Sequence, residues 1–198
     1  MKKYNITIAR QFGSLGRPIA RRLSEILEIN YYDRDIVERA AEKISLSVSE
    51  VSEQEERAKG IFFKMKYPLG MPTLSVQDQI FQAQKEFIVE VADKESCIIV
   101  GRCSDFILEG NPNHMSIFIY ASYAERMKNC VNSLGLSPQE AEMMIAEVDK
   151  ARDLYHLRYA NYLPSDIKHK SLMIDSSVLG VDKTAEYIAD LVHKKFDE

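Results

Sequence analysis

Long hydrophobic runs are absent from this sequence of 198 residues. No apolar stretch approaches the ~18 residues that a membrane-spanning helix requires, which excludes a transmembrane span. The first residues, Met-Lys-Lys-Tyr-Asn, include two lysines but no apolar segment follows them, so they do not resemble a secretory signal. We therefore expect a cytoplasmic protein that has no membrane partner.

Cysteine is scarce and positive charge is not in excess. The three cysteines show no C-x-x-C spacing, which argues against a zinc site and fits a reducing cytoplasm. We expect Cys97, Cys103 and Cys130 to lie in the core. The formal net charge of −4 argues against a nucleic-acid partner.

What the sequence does contain is an alternation of short apolar runs and amphipathic stretches. The apolar runs predict buried strands at 29–32, 97–100, 117–120 and 172–174, in addition to one near the amino terminus. Helical spacing of apolar residues predicts helices over 76–91 and 184–196. Strands of this kind that alternate with helices favour an α/β fold, in which a parallel sheet is covered on both faces.

The amino-terminal segment combines a buried strand, a glycine turn and the start of a helix. Ile6, Ile8 and Ala9 form the strand, Gly13 and Gly16 form the turn, and apolar residues at helical spacing begin at position 19. This arrangement directs backbone N–H groups and a helix amino terminus toward a phosphate. Nucleotide binding is the leading hypothesis, with a strand-turn-helix corner that binds no ligand as the alternative.

The turn departs from the standard phosphate loop, G-x-x-x-x-G-K-[ST]. Gln11 stands at the first glycine, Arg17 at the lysine, and Pro18 at the hydroxyl residue that holds magnesium. Arg17 still offers a fixed positive charge in a planar fork. Proline is tolerated in the first helical turn, because its missing N–H would have no partner within the helix.

Four segments in order resemble the cytidylate kinase-like proteins, a branch of the P-loop nucleoside-monophosphate kinases. They are Ile8-Ala-Arg-Gln-Phe-Gly-Ser-Leu-Gly-Arg17, Tyr31-Tyr-Asp-Arg-Asp35, Val100-Gly-Arg-Cys-Ser-Asp105 and Val148-Asp-Lys-Ala-Arg152. The resemblance covers nearly the whole chain. It implies one three-layer P-loop NTPase domain over residues 1–198, with a five-stranded parallel sheet of order 2-3-1-4-5. It also implies an acceptor-binding insertion and helix at 46–96 and a helical lid in 136–169.

The resemblance implies a role for each matching position. The loop of Gly13, Ser14, Leu15, Gly16 and Arg17 would hold the donor phosphates of ATP. Asp33 would organise Mg²⁺, through a water molecule because the loop hydroxyl is missing. Arg152 would reach the transferred phosphoryl group as the first arginine of the lid. The acceptor would be bound by Arg39 and Arg102, with Arg158 and Lys150 as further candidates.

Each of these residues also has a purely structural interpretation. Arg39 could pair with Asp35 one helical turn away, and Arg102 could pair with Asp105. Asp33 could be the N-cap of the following helix. Arg152, on a helix rich in charged residues, could simply face solvent.

Two further features leave the acceptor open. His156 stands about where true cytidylate kinases have a base-recognising aspartate, and we interpret it as a surface or lid residue. Phe62, Phe63, Met65 and Tyr67 form an apolar cluster within the insertion. We interpret this cluster as packing or as a contact in a homodimer, with base stacking as the alternative.

The expected function is transfer of the ATP γ-phosphoryl group, with Mg²⁺, to a small acceptor, for which CMP is the first candidate. The partners would be small-molecule nucleotides. The departures at Gln11 and Pro18 support an alternative, a nucleotide-binding module that senses occupancy without transferring phosphate. A dinucleotide-binding fold is a weaker third hypothesis, because the glycines lack the spacing G-x-G-x-x-G.

Overall fold

The computed structural model describes residues 3–33, 36, 42 and 74–196. Its strands are β1 (Asn5–Arg10), β2 (Asn30–Tyr32), β3 (Cys97–Val100), β4 (His114–Tyr120) and β5 (Leu172–Asp175). Its helices are α1 (Gly16–Leu27), α2 (Leu74–Lys94), α3 (Ser104–Ile107), α4 (Tyr123–Leu134), α5 (Pro138–Ala160) and α6 (Ser176–Phe196), with a 3₁₀ turn at Ile167–His169.

The five strands form one sheet in the order β2-β3-β1-β4-β5, and every neighbouring pair is parallel. This confirms the predicted topology. β1 lies at the centre, where Ile6 is in register with Ile98 of β3 and Met115 of β4. Because all strands run the same way, the residues that follow β1, β2 and β3 meet at one edge of the sheet.

Helices cover both faces of the sheet. On one face Ile19 and Leu23 of α1 pack with Ile188 and Val192 of α6 against the central strands. On the other face Ile88 and other residues of α2 pack against β3. The three cysteines are buried and form no disulfide, as their core placement predicts.

A separate apolar cluster joins the glycine loop to α4 and α5. Phe12 packs there with Cys130 of α4 and with Met144 and Val148 of α5. The long helical segment predicted in 136–169 is therefore largely α5, and it is held against the loop that precedes α1.

Element boundaries differ from the sequence prediction at several ends. α2 extends beyond the predicted 76–91, and α6 begins at Ser176 rather than at 184, with a break at Gly180, where φ is 72°. The first part of the predicted insertion, with its aromatic cluster, lies outside the described residues. Among the described helices, none is long and apolar enough to cross a bilayer.

Candidate active site

The glycine loop between β1 and α1 makes a tight turn for two different reasons. Gly13 has a φ of 77°, a conformation that favours glycine. Gly16 is not left-handed; a Cβ there would lie 2.7 Å from the Cβ of Arg10, so its role is to allow close approach. Leu15, in contrast, is left-handed at φ 58° and directly precedes α1.

Side chains from α4 and α6, together with the backbone that follows β4, hold this loop in place. Asn129 donates to the carbonyl of Gly13 (2.9 Å), and Ser176 donates to that of Ser14 (2.7 Å). The Gln11 side-chain oxygen accepts from the N–H of Ala121 (3.2 Å). The residue that replaces the first glycine of the motif therefore ties the loop to the end of β4.

Arg126 of α4 and Asp149 of α5 clamp the loop at Phe12. The Arg126 Nε donates to the Phe12 carbonyl (2.8 Å), and the Phe12 N–H donates to Asp149 (2.7 Å). Arg126 and Asp149 also form an ion pair with each other. The position of the glycine loop is thus coupled to α4 and to α5, the long helix of the predicted lid region.

Asp33, directly after β2, is a buried carboxylate surrounded by cations. The Arg17 Nε lies 2.6 Å from Oδ2 of Asp33, which also accepts from the Tyr31 hydroxyl at 3.1 Å, and Arg10 lies 3.7 Å from Oδ1. Burial alone would raise the pKa of Asp33, but Arg10, Arg17 and Arg102 outweigh it and lower that pKa. The carboxylate is therefore ionised and acts as the anchor of the cluster.

Arg102 enters the cluster from a left-handed turn at the end of β3. Gly101, Arg102 and Cys103 all have positive φ, at 76°, 60° and 53°. Left-handed angles are costly for residues other than glycine and concentrate at functional sites. Burial lowers the pKa of Arg102, and the field of Asp33 partly opposes this shift.

Arg152 reaches the same place from α5. Its guanidinium donates to the Arg10 carbonyl at 3.0 Å and lies 3.8 Å from Asp149. Only 26% of its side chain is exposed, so the solvent-facing alternative is wrong. Burial and the neighbouring Arg10 lower the pKa of Arg152 well below its usual value.

The cluster thus brings several guanidinium groups around the Asp33 carboxylate. They belong to Arg10, Arg17, Arg102 and Arg152. Burial lowers the pKa of Arg10 to about 10, which still leaves it charged at neutral pH, and its Nε has no hydrogen-bond partner within the described part of the chain. Such a concentration of positive charge at the carboxyl edge of a parallel sheet favours a polyanionic ligand.

The side chains at this site do not form a magnesium site of their own. Ser14 is fully buried, and its hydroxyl donates to the carbonyls of Gln11 (2.9 Å) and Ile119 (3.1 Å). Pro18 has no hydroxyl, and Asp33 is engaged by arginines. The described part of the chain contains no group of three His, Cys, Asp or Glu residues suited to a metal.

Of the three remaining candidates, the structure describes Arg158 and Lys150, and it places neither of them in the cluster. Arg158 pairs with Asp78 of α2 at 2.7 Å, on the side of α5 that contacts the insertion helix. Arg39 and its alternative partner Asp35 lie outside the described residues, as does most of the helix that Asp33 would cap. Lys150 is exposed on α5.

His156 lies on α5 in the predicted lid region, but its interpretation as a surface residue is wrong. It is 5% exposed, with Nε2 3.0 Å from Asp105 and Nδ1 2.7 Å from the Tyr162 carbonyl. Lys170 forms an ion pair with the same Asp105. Asp105 therefore pairs with His156 and Lys170, and not with Arg102 as the structural interpretation of Arg102 expected.

Sequence reasoning missed Arg10, Arg126 and Asp149. Arg10 is the last residue of β1. The predicted order of the strands could have indicated that it lies at the same sheet edge as Asp33 and Gly101. Arg126 and Asp149 gave no signal, since charged residues on amphipathic helices usually face solvent. Only the packing of α4 and α5 on the loop shows their role.

Comparisons with known proteins agree with this geometry. The profile of the cytidylate kinase-like family matches residues 5–178. A crystal structure of an uncharacterized protein from Eubacterium ventriosum ATCC 27560 is similar, with a TM-score of 0.71, 26% identity, and coverage of 96% of this chain and 98% of that chain. No curated protein matches the chain.

Two solved kinases share the fold at lower identity. Shikimate kinase from Acinetobacter baumannii, in complex with shikimate, has a TM-score of 0.56 at 11% identity and covers 100% of this chain and 97% of its own. A sugar kinase from Janibacter sp. HTCC2649 has a TM-score of 0.54 at 13% identity, covering 99% and 95%. These likenesses establish a P-loop kinase fold. With the family match over nearly the whole chain, they lead to one conclusion: the protein belongs to the cytidylate kinase-like family.

Proposed function

We propose that this protein is an ATP-dependent phosphotransferase whose acceptor is a small phosphorylated molecule, with a pyrimidine nucleoside monophosphate such as CMP as the first candidate. The family match and the P-loop kinase fold support the reaction class. The observation that carries the proposal is the convergence of Arg10, Arg17, Arg102 and Arg152 on Asp33 beside the glycine loop.

Phosphoryl transfer asks little covalent chemistry of a protein. It requires two phosphate groups held in line and positive charge over the transferring group. Arginines from separate elements can hold phosphate oxygens through paired hydrogen bonds, and a single arginine of this kind is worth on the order of 10³-fold or more in rate. The concentration of guanidinium groups in the cluster supports this proposal.

Arginines from different elements would bind different parts of the two substrates. Arg17, in the first turn of α1, would bind the donor phosphates together with the N–H groups of the glycine loop. Arg102, on the neighbouring strand end, would bind the acceptor phosphate, with Arg39 as a further contact. Arg152, which approaches from α5, would stabilise the charge of the transferred group.

Asp33 keeps these cations in place before substrate arrives. The carboxylate lies 2.6 Å from Arg17, so donor phosphate oxygens would compete with Asp33 for that guanidinium. Release of Asp33 by Arg17 would leave the carboxylate free to accept a hydrogen bond from water of the magnesium that accompanies ATP.

The contacts of α5 support a role in excluding water. This helix meets α2 through the Arg158–Asp78 pair and through stacked rings of Tyr159 and Phe81, whose centroids are 3.9 Å apart. A helix that contacts both the phosphate loop and the insertion helix can cover the space between them. Such closure favours transfer to the acceptor over hydrolysis of ATP.

A second candidate is a nucleotide-binding module without transferase activity. Ser14 is buried and hydrogen-bonded to carbonyls, Pro18 replaces the metal-holding hydroxyl, and Asp33 is engaged by cations. These features favour binding without efficient transfer. In this case α5 would report occupancy of the loop through Asp149 and Arg152.

A coupled ADP-release assay with ATP, Mg²⁺ and a panel of monophosphates tests the proposal. The wild type is compared with Arg102→Ala and with Arg22→Ala as the control. Arg22 is an arginine of α1 that lies away from the cluster. It pairs with Glu25 of the same helix and with Asp182 of α6. We expect acceptor-dependent turnover that falls at least 10²-fold in Arg102→Ala, as for loss of a charge-stabilising group, and is unchanged in Arg22→Ala.

Calorimetry of ATP binding separates the two candidate functions. ATP binding without turnover for any monophosphate would favour the binding module. Equal activity of Arg102→Ala and the wild type would contradict the assignment of the acceptor phosphate to this arginine.

A further inference from the structure

Gln84 of α2 is a fully buried side chain whose amide hydrogens have no partner in the part of the chain that the structure describes. Its exposure is 0%, and its Oε1 accepts a hydrogen bond from the Tyr155 hydroxyl at 3.0 Å. Its Nε2 finds no hydrogen-bond partner among the described residues. Buried amide donors are nearly always paired, because an unmade hydrogen bond costs stability. An unpaired one therefore calls for an explanation.

The partner of Gln84 leads directly to the arginine cluster. Tyr155 lies on α5, one helical turn after Arg152, and the charge of Arg102 acts on its hydroxyl. The Cys103 thiol, next to Arg102, contacts the Tyr155 carbonyl at 4.0 Å. Gln84 is thus linked through Tyr155 to the turn that carries Arg102.

Aromatic rings adjoin the same place. Phe81, three residues before Gln84 on α2, lies on the same helix face. Its ring stacks on Tyr159 and meets Tyr155 edge-on, with centroid distances of 3.9 and 6.3 Å. A planar apolar wall and a buried amide donor therefore lie together between α2 and α5, and Tyr155 connects them to the turn that carries Arg102.

We propose that Gln84 is a specificity-determining residue that binds a ring carbonyl or ring nitrogen of a planar heterocyclic base in the acceptor. This inference rests on the proposed function and narrows its substrate class to nucleotides. The carboxamide hydrogens would donate to the base, the rings of Phe81 and Tyr155 would border it, and Arg102 would hold the phosphate. An acceptor that carries only a sugar and a phosphate would leave the amide unsatisfied.

Calorimetric titration of CMP, UMP and ribose 5-phosphate into the wild type and two variants tests the subsite. Gln84→Met retains the length of the side chain and removes the amide. Gln84→Glu retains an oxygen that accepts from Tyr155 and removes the amide hydrogens. Gln82→Met is the matched control, since Gln82 lies on the same helix, is exposed, and donates to Glu86. Thermal unfolding of each variant checks that it folds.

We expect CMP or UMP to bind the Gln84 variants about tenfold or more weakly, because a site built to hydrogen-bond a ligand discriminates strongly when that bond is lost. Ribose 5-phosphate should bind all four proteins within about twofold, and Gln82→Met should match the wild type. In turnover the effect should appear mainly in KM for the acceptor, since a contact made equally in ground and transition states changes binding rather than kcat.

Equal binding of CMP and UMP by the wild type and both Gln84 variants would overturn the inference. So would a wild type that binds no base-containing monophosphate, or a loss of the same size for ribose 5-phosphate. Failure of the proposed function has a different signature. In that case the wild type would bind CMP or UMP in a Gln84-dependent way and still transfer no phosphate.

Discussion

Asp33 organises the candidate site at the scale of single residues. One buried carboxylate holds Arg17 and Arg10 close together although like charges repel, and its ionised state is maintained by those cations. The sequence predicted Arg17, Asp33, Arg102 and Arg152 as functional residues, and the fold brings all four together. Arg10 joins them only because β1 and β3 are neighbours, which places its guanidinium against Gly101.

Gly101→Ala should displace Arg10 from this cluster. The new Cβ would lie 2.4 Å from the Arg10 Nη1, and the residue would retain a φ of 76°. The left-handed angle should lower the free energy of unfolding, measured by urea denaturation, by roughly 1–2 kcal/mol. The displaced guanidinium should also weaken ATP binding, measured by calorimetry.

Gly110→Ala is the matched control for this prediction. Gly110 has a φ of 85° with nothing within 4 Å of an added Cβ, so it should lose similar stability and retain ATP affinity. If the two variants bind ATP equally well, Gly101 does not position Arg10.

Asp105 should make the stability of the fold sensitive to acid. Burial would raise the pKa of Asp105, but the His156 hydrogen bond and the Lys170 ammonium outweigh burial and hold that pKa well below its usual value of about 3.9. Because the folded pKa is the lower one, the unfolded chain binds more protons as pH falls. The stabilising contribution is therefore fully present above about pH 5 and is lost progressively as pH falls from about 4 toward the lower pKa of the folded state.

Asp105→Asn should flatten this pH dependence in urea unfolding measured between pH 7 and 3. At pH 7 it should also lower the free energy of unfolding by about 3–5 kcal/mol, because the fully buried Lys170 ammonium loses its counter-ion. Asp190→Asn, a change at an exposed carboxyl on α6, is the control. Parallel pH profiles for Asp105→Asn and the wild type would refute the assignment.

At the scale of elements, α5 connects the phosphate loop with the insertion helix. Asp149 and Arg152 face the loop, and Tyr155 and Arg158 face α2. These residues follow one another at helical spacing, so a single rigid helix couples the position of the loop to that of α2. Its amino terminus is closed by a capping box between Ser137 and Glu140.

Ser137→Ala should destabilise the amino-terminal end of α5. The Ser137 hydroxyl accepts from the Glu140 N–H (3.3 Å), and the Glu140 carboxylate accepts from the Ser137 N–H (2.9 Å). Loss of the cap should lower the free energy of unfolding by about 1 kcal/mol in urea denaturation. Ser137→Asp, which retains an acceptor oxygen, should restore most of it; an equal loss in both variants would show that the cap does not stabilise the helix.

At the scale of the whole molecule, charge is distributed unevenly. The chain carries a net charge of −4, whereas the cluster near Asp33 has an excess of guanidinium groups. A polyanion is therefore attracted only at short range, where the local field dominates.

Affinity for ATP should consequently fall as salt increases. Between about 0.05 and 0.5 M NaCl, where screening shortens the range of exposed charges, the Kd from calorimetry should rise by roughly three- to tenfold. Arg102→Ala should bind more weakly and show a smaller salt dependence. A Kd that does not change with salt would argue against charge attraction as the main source of affinity.

The sequence by itself determined the fold class, the strand order through its family resemblance, and the central loop of the site. The fold class and the loop follow from local signals, since apolar runs, glycine spacing and residues after strands depend on near neighbours in the chain. It did not determine the burial of His156, the loop clamp of Arg126 and Asp149, or the contact between Gln84 and Tyr155. Only the tertiary structure decided these, because each depends on which helix packs against which strand end, and a charged or polar residue on an amphipathic helix gives no sign of a buried partner far away in sequence.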